Sequence, residues 1–340
     1  MTYMRMIRLG KTGITVPQNA FGALPIQRVS EDEAVSLLRN AYDGGMRFFD
    51  TARAYSDSEV KVGKAFEGMR EKVYISSKTQ ATTREKFEED LNTSLTNLKT
   101  DYIDIYQLHC VARCYTEEDD IYQCLVEAKK QGKIRHIGIT AHKIGVAEDI
   151  VKSGLYETLQ FPFSYLASDR DIALVQSCKE ADIGFIAMKG LSGGLLTDSK
   201  ACMAFMSQYD VLPIWGIQRQ SELDEWLSYF NNDVKMTGRL KAVIEKDRKE
   251  LLGEFCRGCG YCMPCKVGIT INQCARMSQM IRRAPSQNWL TDHWQQEMMK
   301  IDLCVNCYMC KTRCPYELDI PNLLRKNLKD YKEILAGKSV

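Results

Sequence analysis

The sequence predicts an α/β protein: a (β/α)8 TIM barrel over residues 1–231, a charged helical linker over 232–254, and a smaller, mostly α-helical, cysteine-rich domain over 255–340. Three observations carry this. Eight apolar, strand-like runs recur with amphipathic segments between them in the first 230 residues. The 340-residue length exceeds one ordinary domain. Eight of the 14 cysteines fall at regular spacing in two blocks between Cys256 and Cys314. In chain order, a hairpin signal spans residues 10–16, and the runs are NAFGAL (19–24), RFFDT (47–51), VYISS (73–77), YIDIYQL (102–108), IRHIGIT (134–140), ETLQF (157–161), IGFIAM (183–188) and VLPIW (211–215). Helices are expected after the capping box of Ser30 and Glu33, after Thr83 and after Thr116. No GxGxxG follows the first strand, so an open dinucleotide-binding sheet loses its phosphate cradle.

Lys+Arg 46 against Asp+Glu 44 nearly cancel, which gives no global pull toward nucleic acid or an anionic membrane. No run of about 18 apolar residues occurs and the first ten residues lack an apolar leader core, so a cytoplasmic protein is expected, with neither nucleic acid nor membrane as partner. Repeated Cys-x2-Cys in such a chain points to metal ligation in a reducing compartment rather than to disulfides.

Barrel enzymes carry their chemistry at the carboxyl ends of the strands. Asp50 closes the second run, Tyr55 lies just beyond it, Lys78 follows the third and His109 the fourth. A lysine beside a phenol favours the phenolate, and an aspartate paired to that lysine keeps it charged, so the phenol of Tyr55 is expected to become more acidic. His109 is placed to hydrogen-bond the oxygen that receives the proton. No serine or cysteine sits beside a base in the position of a nucleophile, so an external hydride fits best.

At these residues, through RFFDTARAYSDSEVKVGKAF, VYISSKT and DYIDIYQLH, the sequence resembles the aldo-keto reductase superfamily over roughly residues 5–230. The resemblance implies Tyr55 as proton donor to a carbonyl, Lys78 and Asp50 as its tuning partners, His109 as orienter, and NADP or NAD bound across the barrel mouth. It also implies Gln160 at the nicotinamide carboxamide, the AMKGLSGGLL stretch with Met188, Lys189, Leu191 and Gly194 at the pyrophosphate side, and Gly216, Gln218, Arg219 and Glu222 at the adenosine end. Thr140 and His142 stand where the family has Ser-Asn, and Met188 stands in place of a stacking tyrosine. Arg219 suits a 2′-phosphate while Glu222 keeps NAD open. Arg53, Arg113 and Tyr115 are the candidate substrate contacts, suited to a small anionic or hydroxylated carbonyl compound.

The block CRGCGYCMPC supplies Cys256, Cys259, Cys262 and Cys265, and CVNCYMCKTRCP supplies Cys304, Cys307, Cys310 and Cys314. Triplets spaced Cys-x2-Cys-x2-Cys with a further cysteine are the pattern of a [4Fe–4S] cubane; in paired motifs the fourth cysteine serves the other cluster. Two clusters are therefore expected, one on Cys256, Cys259, Cys262 and Cys314 and one on Cys304, Cys307, Cys310 and Cys265. The first block has two residues rather than three before Cys265, so Cys274 is a reserve ligand. The gap between blocks reads as helix, which resembles the α-helical ferredoxin type. The clusters supply or accept single electrons, with ferredoxin or another carrier as partner, or act as staples. Three functions follow: an NAD(P)H-dependent carbonyl reductase, a ferredoxin-linked redox enzyme, or a non-enzymatic electron-transfer module with a vestigial barrel.

Overall fold

The computed structural model describes residues 4–230, 234–251, 255–283 and 286–338. The chain forms two compact units: Met1–Gly190 with Ser199–Lys241, and Leu191–Asp198 with Ala242–Val340. The sequence-drawn boundaries at 231, 232 and 254 lie outside the described residues. The units divide instead within a helix, between Lys241 and Ala242, and the short stretch Leu191–Asp198 groups with the second.

The first unit is the barrel. Its strands are β1 (Ala20–Gly22), β2 (Phe48–Asp50), β3 (Tyr74–Thr79), β4 (Ile103–Leu108), β5 (Ile134–Thr140), β6 (Thr158–Pro162), β7 (Gly184–Met188) and β8 (Val211–Gly216). All pair in parallel and in sequence, with β8 closing onto β1. Each coincides with one of the eight apolar runs. β4 is buried at every residue, as expected of a strand with side chains in the barrel interior on one face and under helices on the other. The hairpin of Met6–Arg8 and Thr15–Pro17 packs Ile7, Leu9, Ile14 and Val16 into the core formed with Ile105, Ile186 and Leu212. It covers the amino ends of the strands, since Gly10 bridges to Ile183, just ahead of β7. Gly10 has φ of 50°, and a Cβ there would lie 2.3 Å from Asp182 O, so glycine alone fits.

The helices between strands are α1 (Glu31–Asp43), α2 (Ser58–Phe66), α3 (Arg84–Asn97), α4 (Asp120–Lys130), α5 (Ile144–Ser153), α6 (Asp169–Glu180), α7 (Ser199–Met206) and α8 (Gln220–Ser228). Ser30 and Glu33 form the expected capping box on α1, and the Thr83 hydroxyl accepts from Lys86 N at the start of α3. The cap expected at Thr116 is displaced. The Asp119 carboxylate accepts the Thr116 N–H at 2.8 Å and pairs with Arg113, so residues 116–119 form a turn and α4 begins at Asp120.

The second unit is built from helices: the latter part of α9 (Gly238–Leu251), then α10 (Ile271–Cys274), α11 (Met277–Arg283), α12 (Asp292–Met299), α13 (Met309–Thr312) and α14 (Ile320–Leu335), with no strand among its described residues. α9 is described over 14 residues. α14 buries Leu324, Leu328, Tyr331 and Ile334 at helical spacing against Ile269, Ile271 and Met277. Buried Asn327 ties α14 to the rest, donating to Ala275 O at 3.2 Å and accepting from Ser278 N at 2.8 Å. No helix among the described residues is long and apolar enough to cross a membrane.

Candidate active site

Parallel closure brings the carboxyl ends of β2, β3 and β4 side by side, with Asp50 opposite Ser76 and Lys78 opposite Gln107. Lys78 Nζ lies 2.7 Å from Asp50 Oδ2 and donates to Thr51 O at 2.6 Å, with both charged side chains buried. The loop after β2 is tied back to β3 by Arg53 N–H on Lys78 O at 2.9 Å. It carries Tyr55 so that Lys78 Nζ sits 5.3 Å from the phenol ring centroid. The His109 ring meets that of Tyr55 edge-on, centroids 5.8 Å apart. The four residues singled out at strand ends thus form one group.

Their electrostatics differ in one respect from expectation. Burial pushes the Asp50 carboxyl up and the Lys78 ammonium down, and their mutual contact opposes both shifts. Burial, reinforced by the negative charge of Asp50, also pushes the Tyr55 phenol up rather than toward neutrality. The phenol therefore stays protonated. Burial and the charges of Lys78 and Lys189 push His109 down to about 3, so the ring is neutral. Its Nδ1 is buried with no hydrogen-bond partner among the described residues. The arrangement therefore holds a protonated phenol, a compact ion pair and a neutral imidazole: a donor set for an oxygen that gains charge.

Around the rim, Thr140 ends β5 opposite Gln160 of β6. Thr140 Oγ1 accepts from Cys110 N, and His142 Nδ1 lies 3.4 Å from Cys110 Sγ. Gln160 Nε2 contacts Met188 Sδ at 3.8 Å, and Lys189 leaves β7 in the left-handed conformation with φ of 60°. Gly216 ends β8; beyond it Glu222 accepts from Gln218 N at 2.9 Å and Arg219 N at 3.3 Å, and holds the Arg219 guanidinium at 2.7 Å. Gln218 Oε1 and the indole nitrogen of Trp215 are buried without a hydrogen-bond partner among the described residues. Buried polar atoms left in this state are what a polar ligand at the strand ends satisfies, so these residues fit a nicotinamide dinucleotide. Leu191 and Gly194 fall in the stretch that groups with the second unit, where Leu191 O accepts from Gly194 N at 2.9 Å.

The substrate candidates are already engaged. Arg53 pairs with buried Glu59 at 3.3 Å, while Arg113 pairs with Asp119 and stacks 4.2 Å over the Tyr115 ring. Sequence reasoning missed Gln107, whose amide donates to Ser76 Oγ at 2.8 Å and to Gln160 Oε1 at 2.9 Å beneath the site. The available signal was a lone amide inside the apolar run of β4.

In the second unit, Cys262, Cys265, Cys304, Cys307 and Cys310 line one cavity with Val267 and Ile269. Cys256, Cys259, Cys262 and Cys314 lie within electrostatic reach of one another; burial and the neighbouring thiols push Cys262 up to about 12. As they stand, no three metal-ligand side chains among the described residues converge on one point. Even so, soft thiol donors of this kind match cubane chemistry. Cys274 stands apart, its thiol donating to Glu297 O at 3.7 Å.

The aldo/keto reductase family profile matches residues 18–208, and a 4Fe-4S dicluster domain matches residues 255–319. The chain is 30% identical over 221 residues to L-galactose dehydrogenase of Arabidopsis thaliana, covering 58% of this chain and 69% of that one. It is 28% identical over 213 residues to aldo-keto reductase YhdN of Bacillus subtilis, covering 57% and 64%. Among solved structures, the holo form of aldo-keto reductase AKR11C1 from Bacillus halodurans superposes with a TM-score of 0.63 at 20% identity, over 72% of this chain and 96% of that one. An aldo-keto reductase from Klebsiella pneumoniae in complex with NADPH gives 0.61 at 20% identity, over 72% and 95%. At such identities the structural likeness shows the barrel fold alone.

Proposed function

The chain belongs to the aldo/keto reductase family and carries a 4Fe-4S dicluster domain, and on that premise we propose that it reduces the carbonyl of a small aldehyde or ketone to an alcohol, with Tyr55 as proton donor. The observation that carries this is the buried Lys78–Asp50 pair set beneath a protonated phenol and a neutral imidazole. Bound NADPH or NADH supplies the hydride. His109 holds the carbonyl oxygen by a hydrogen bond, and Tyr55 passes its proton to that oxygen as negative charge develops there. The Lys78–Asp50 pair keeps the phenol oriented without ionising it. Gln160, steadied by Gln107, and the unpartnered Gln218 and Trp215 groups bind the dinucleotide. The Arg219–Glu222 pair accommodates either a 2′-phosphate, on a released guanidinium, or a ribose hydroxyl, on the carboxylate. With Arg53 and Arg113 already paired, a neutral hydroxylated carbonyl compound suits the site better than an acid. The name of the L-galactose relative agrees with that preference.

Cys256, Cys259, Cys262 and Cys314 hold one [4Fe–4S] cluster, and Cys265, Cys304, Cys307 and Cys310 the other, in a reducing compartment for which the cytoplasm is the proposed location. Replacing Cys265 with serine is expected to lower iron from about eight to about four atoms per chain, while Cys274→Ser keeps it full. Iron and acid-labile sulfide assays check this; loss of iron in the Cys274 variant would reverse the assignment.

A second reading has its own observation. Cys307 is exposed beside exposed Leu303, Val305 and Tyr308, an opening for electron exchange with a carrier of ferredoxin type. Mixing the holoprotein anaerobically with NADPH and a panel of hydroxylated aldehydes separates the two. Alcohol formation with unchanged cluster absorbance supports direct reduction, and bleaching by NADPH supports electron exchange. Absence of nicotinamide oxidation across the panel would end the carbonyl-reductase reading.

A further inference from the structure

The residue following His109 stands outside the tetrad and is built with some care. Cys110 has φ of 58°, a left-handed conformation that a side chain other than glycine adopts only when its surroundings impose it. The end of β5 imposes it here: Cys110 N–H donates to Thr140 Oγ1 at 2.5 Å, and Val111 N–H donates to Thr140 O at 3.0 Å. The result sets Cys110 Sγ 3.4 Å from Nδ1 of His142, a residue 32 positions away on the next strand-end loop. His142 is buried, and burial with the charge of Lys189 pushes its imidazole well below the usual histidine range, so a neutral ring faces the thiol. Cys110 itself is half-buried and lies within electrostatic reach of the Tyr55 phenol, in the same group as Tyr55 and His109.

None of these contacts serves the proton transfer assigned to Tyr55, and they place a thiol beside a base, contrary to the expectation from sequence. We propose that Cys110 and His142 form a thiol–imidazole pair that covalently captures α,β-unsaturated carbonyl compounds at the strand-end site. The S–H proton passes to His142 Nδ1 as the sulfur lone pair forms a bond to the β-carbon. The C=C π pair moves to the α-carbon, which then takes the proton back from His142. The carbonyl is retained, and no oxidant or reductant is needed. That such compounds reach the site rests on the carbonyl-reductase reading above; the thiol chemistry does not.

Selectivity follows from the other cysteines. Cys124, Cys178 and Cys202 are buried, with burial pushing Cys178 up to about 12, and burial also pushes up Cys114 and the interior Cys274. The remaining eight are the proposed cluster ligands, held by iron in the holoprotein.

The test treats the anaerobic holoprotein with but-3-en-2-one and follows adducts by peptide mass spectrometry. Cys110 is expected to be modified first, faster than N-acetylcysteine at the same pH, and about tenfold more slowly in His142→Gln, where no imidazole takes the S–H proton. Labelling of Cys114 as fast as Cys110 would overturn the proposal, as would an unchanged rate in a folded His142→Gln variant. Should that variant not fold, the wild-type comparison decides: a rate no greater than that of N-acetylcysteine overturns it. In Tyr55→Phe the adduct is still expected. Labelling without reduction in the wild type therefore defeats only the carbonyl-reductase reading, and reduction without labelling defeats only this one.

Discussion

Replacing Tyr55 with phenylalanine is expected to lower kcat for carbonyl reduction by about 10²–10⁴-fold, with nicotinamide binding unchanged. The substitution keeps the ring and its edge-on contact with His109, and it leaves the Lys78–Asp50 pair intact, so it removes little besides the proton. The phenol is protonated in the resting protein, held so by burial and the neighbouring Asp50 charge. Steady-state kinetics alongside fluorescence titration with NADPH separate the two quantities. Undiminished turnover would mean that another group delivers the proton.

Replacing Lys78 with methionine is expected to destabilise the barrel by about 3–5 kcal/mol, because it leaves the Asp50 carboxylate buried without its counter-charge. Combining Lys78→Met with Asp50→Asn removes the charge as well as its partner. Much of the stability is then expected to return, while turnover stays lost in both variants. Thermal unfolding of the single and double variants reads the first quantity, and reductase assays the second. If the double variant were no more stable than the single one, the ion pair would not be the reason for the destabilisation.

Much of the site is legible in the sequence because of how a barrel is built. Each strand delivers its last residues to the same face, so Asp50, Lys78 and His109 are neighbours once three consecutive runs are recognised as strands. Cysteine spacing is legible for a similar reason, since ligands to one cluster come mostly from one short segment. Contacts between residues distant in sequence left no such trace. The start of α4 was misplaced because a carboxylate three residues on competed for the Thr116 N–H. Arg53 and Arg113 read as unpaired loop cations because Glu59 and Asp119 are recognisable as their partners only in space.

Sequence alone determined the barrel, the four residues at its mouth and the two cysteine blocks, because each depends on local periodicity or short spacing. Tertiary structure alone decided that burial outweighs the lysine and keeps the phenol protonated, that Gln107 steadies Gln160, and that Cys110 meets His142. It also decided that Cys262 and Cys265, and not Cys274, share a cavity with Cys304, Cys307 and Cys310. Desolvation and pairing across distant strands and helices are properties of the folded interior, and no one-dimensional pattern encodes how much water a group loses or which partner arrives from elsewhere in the chain.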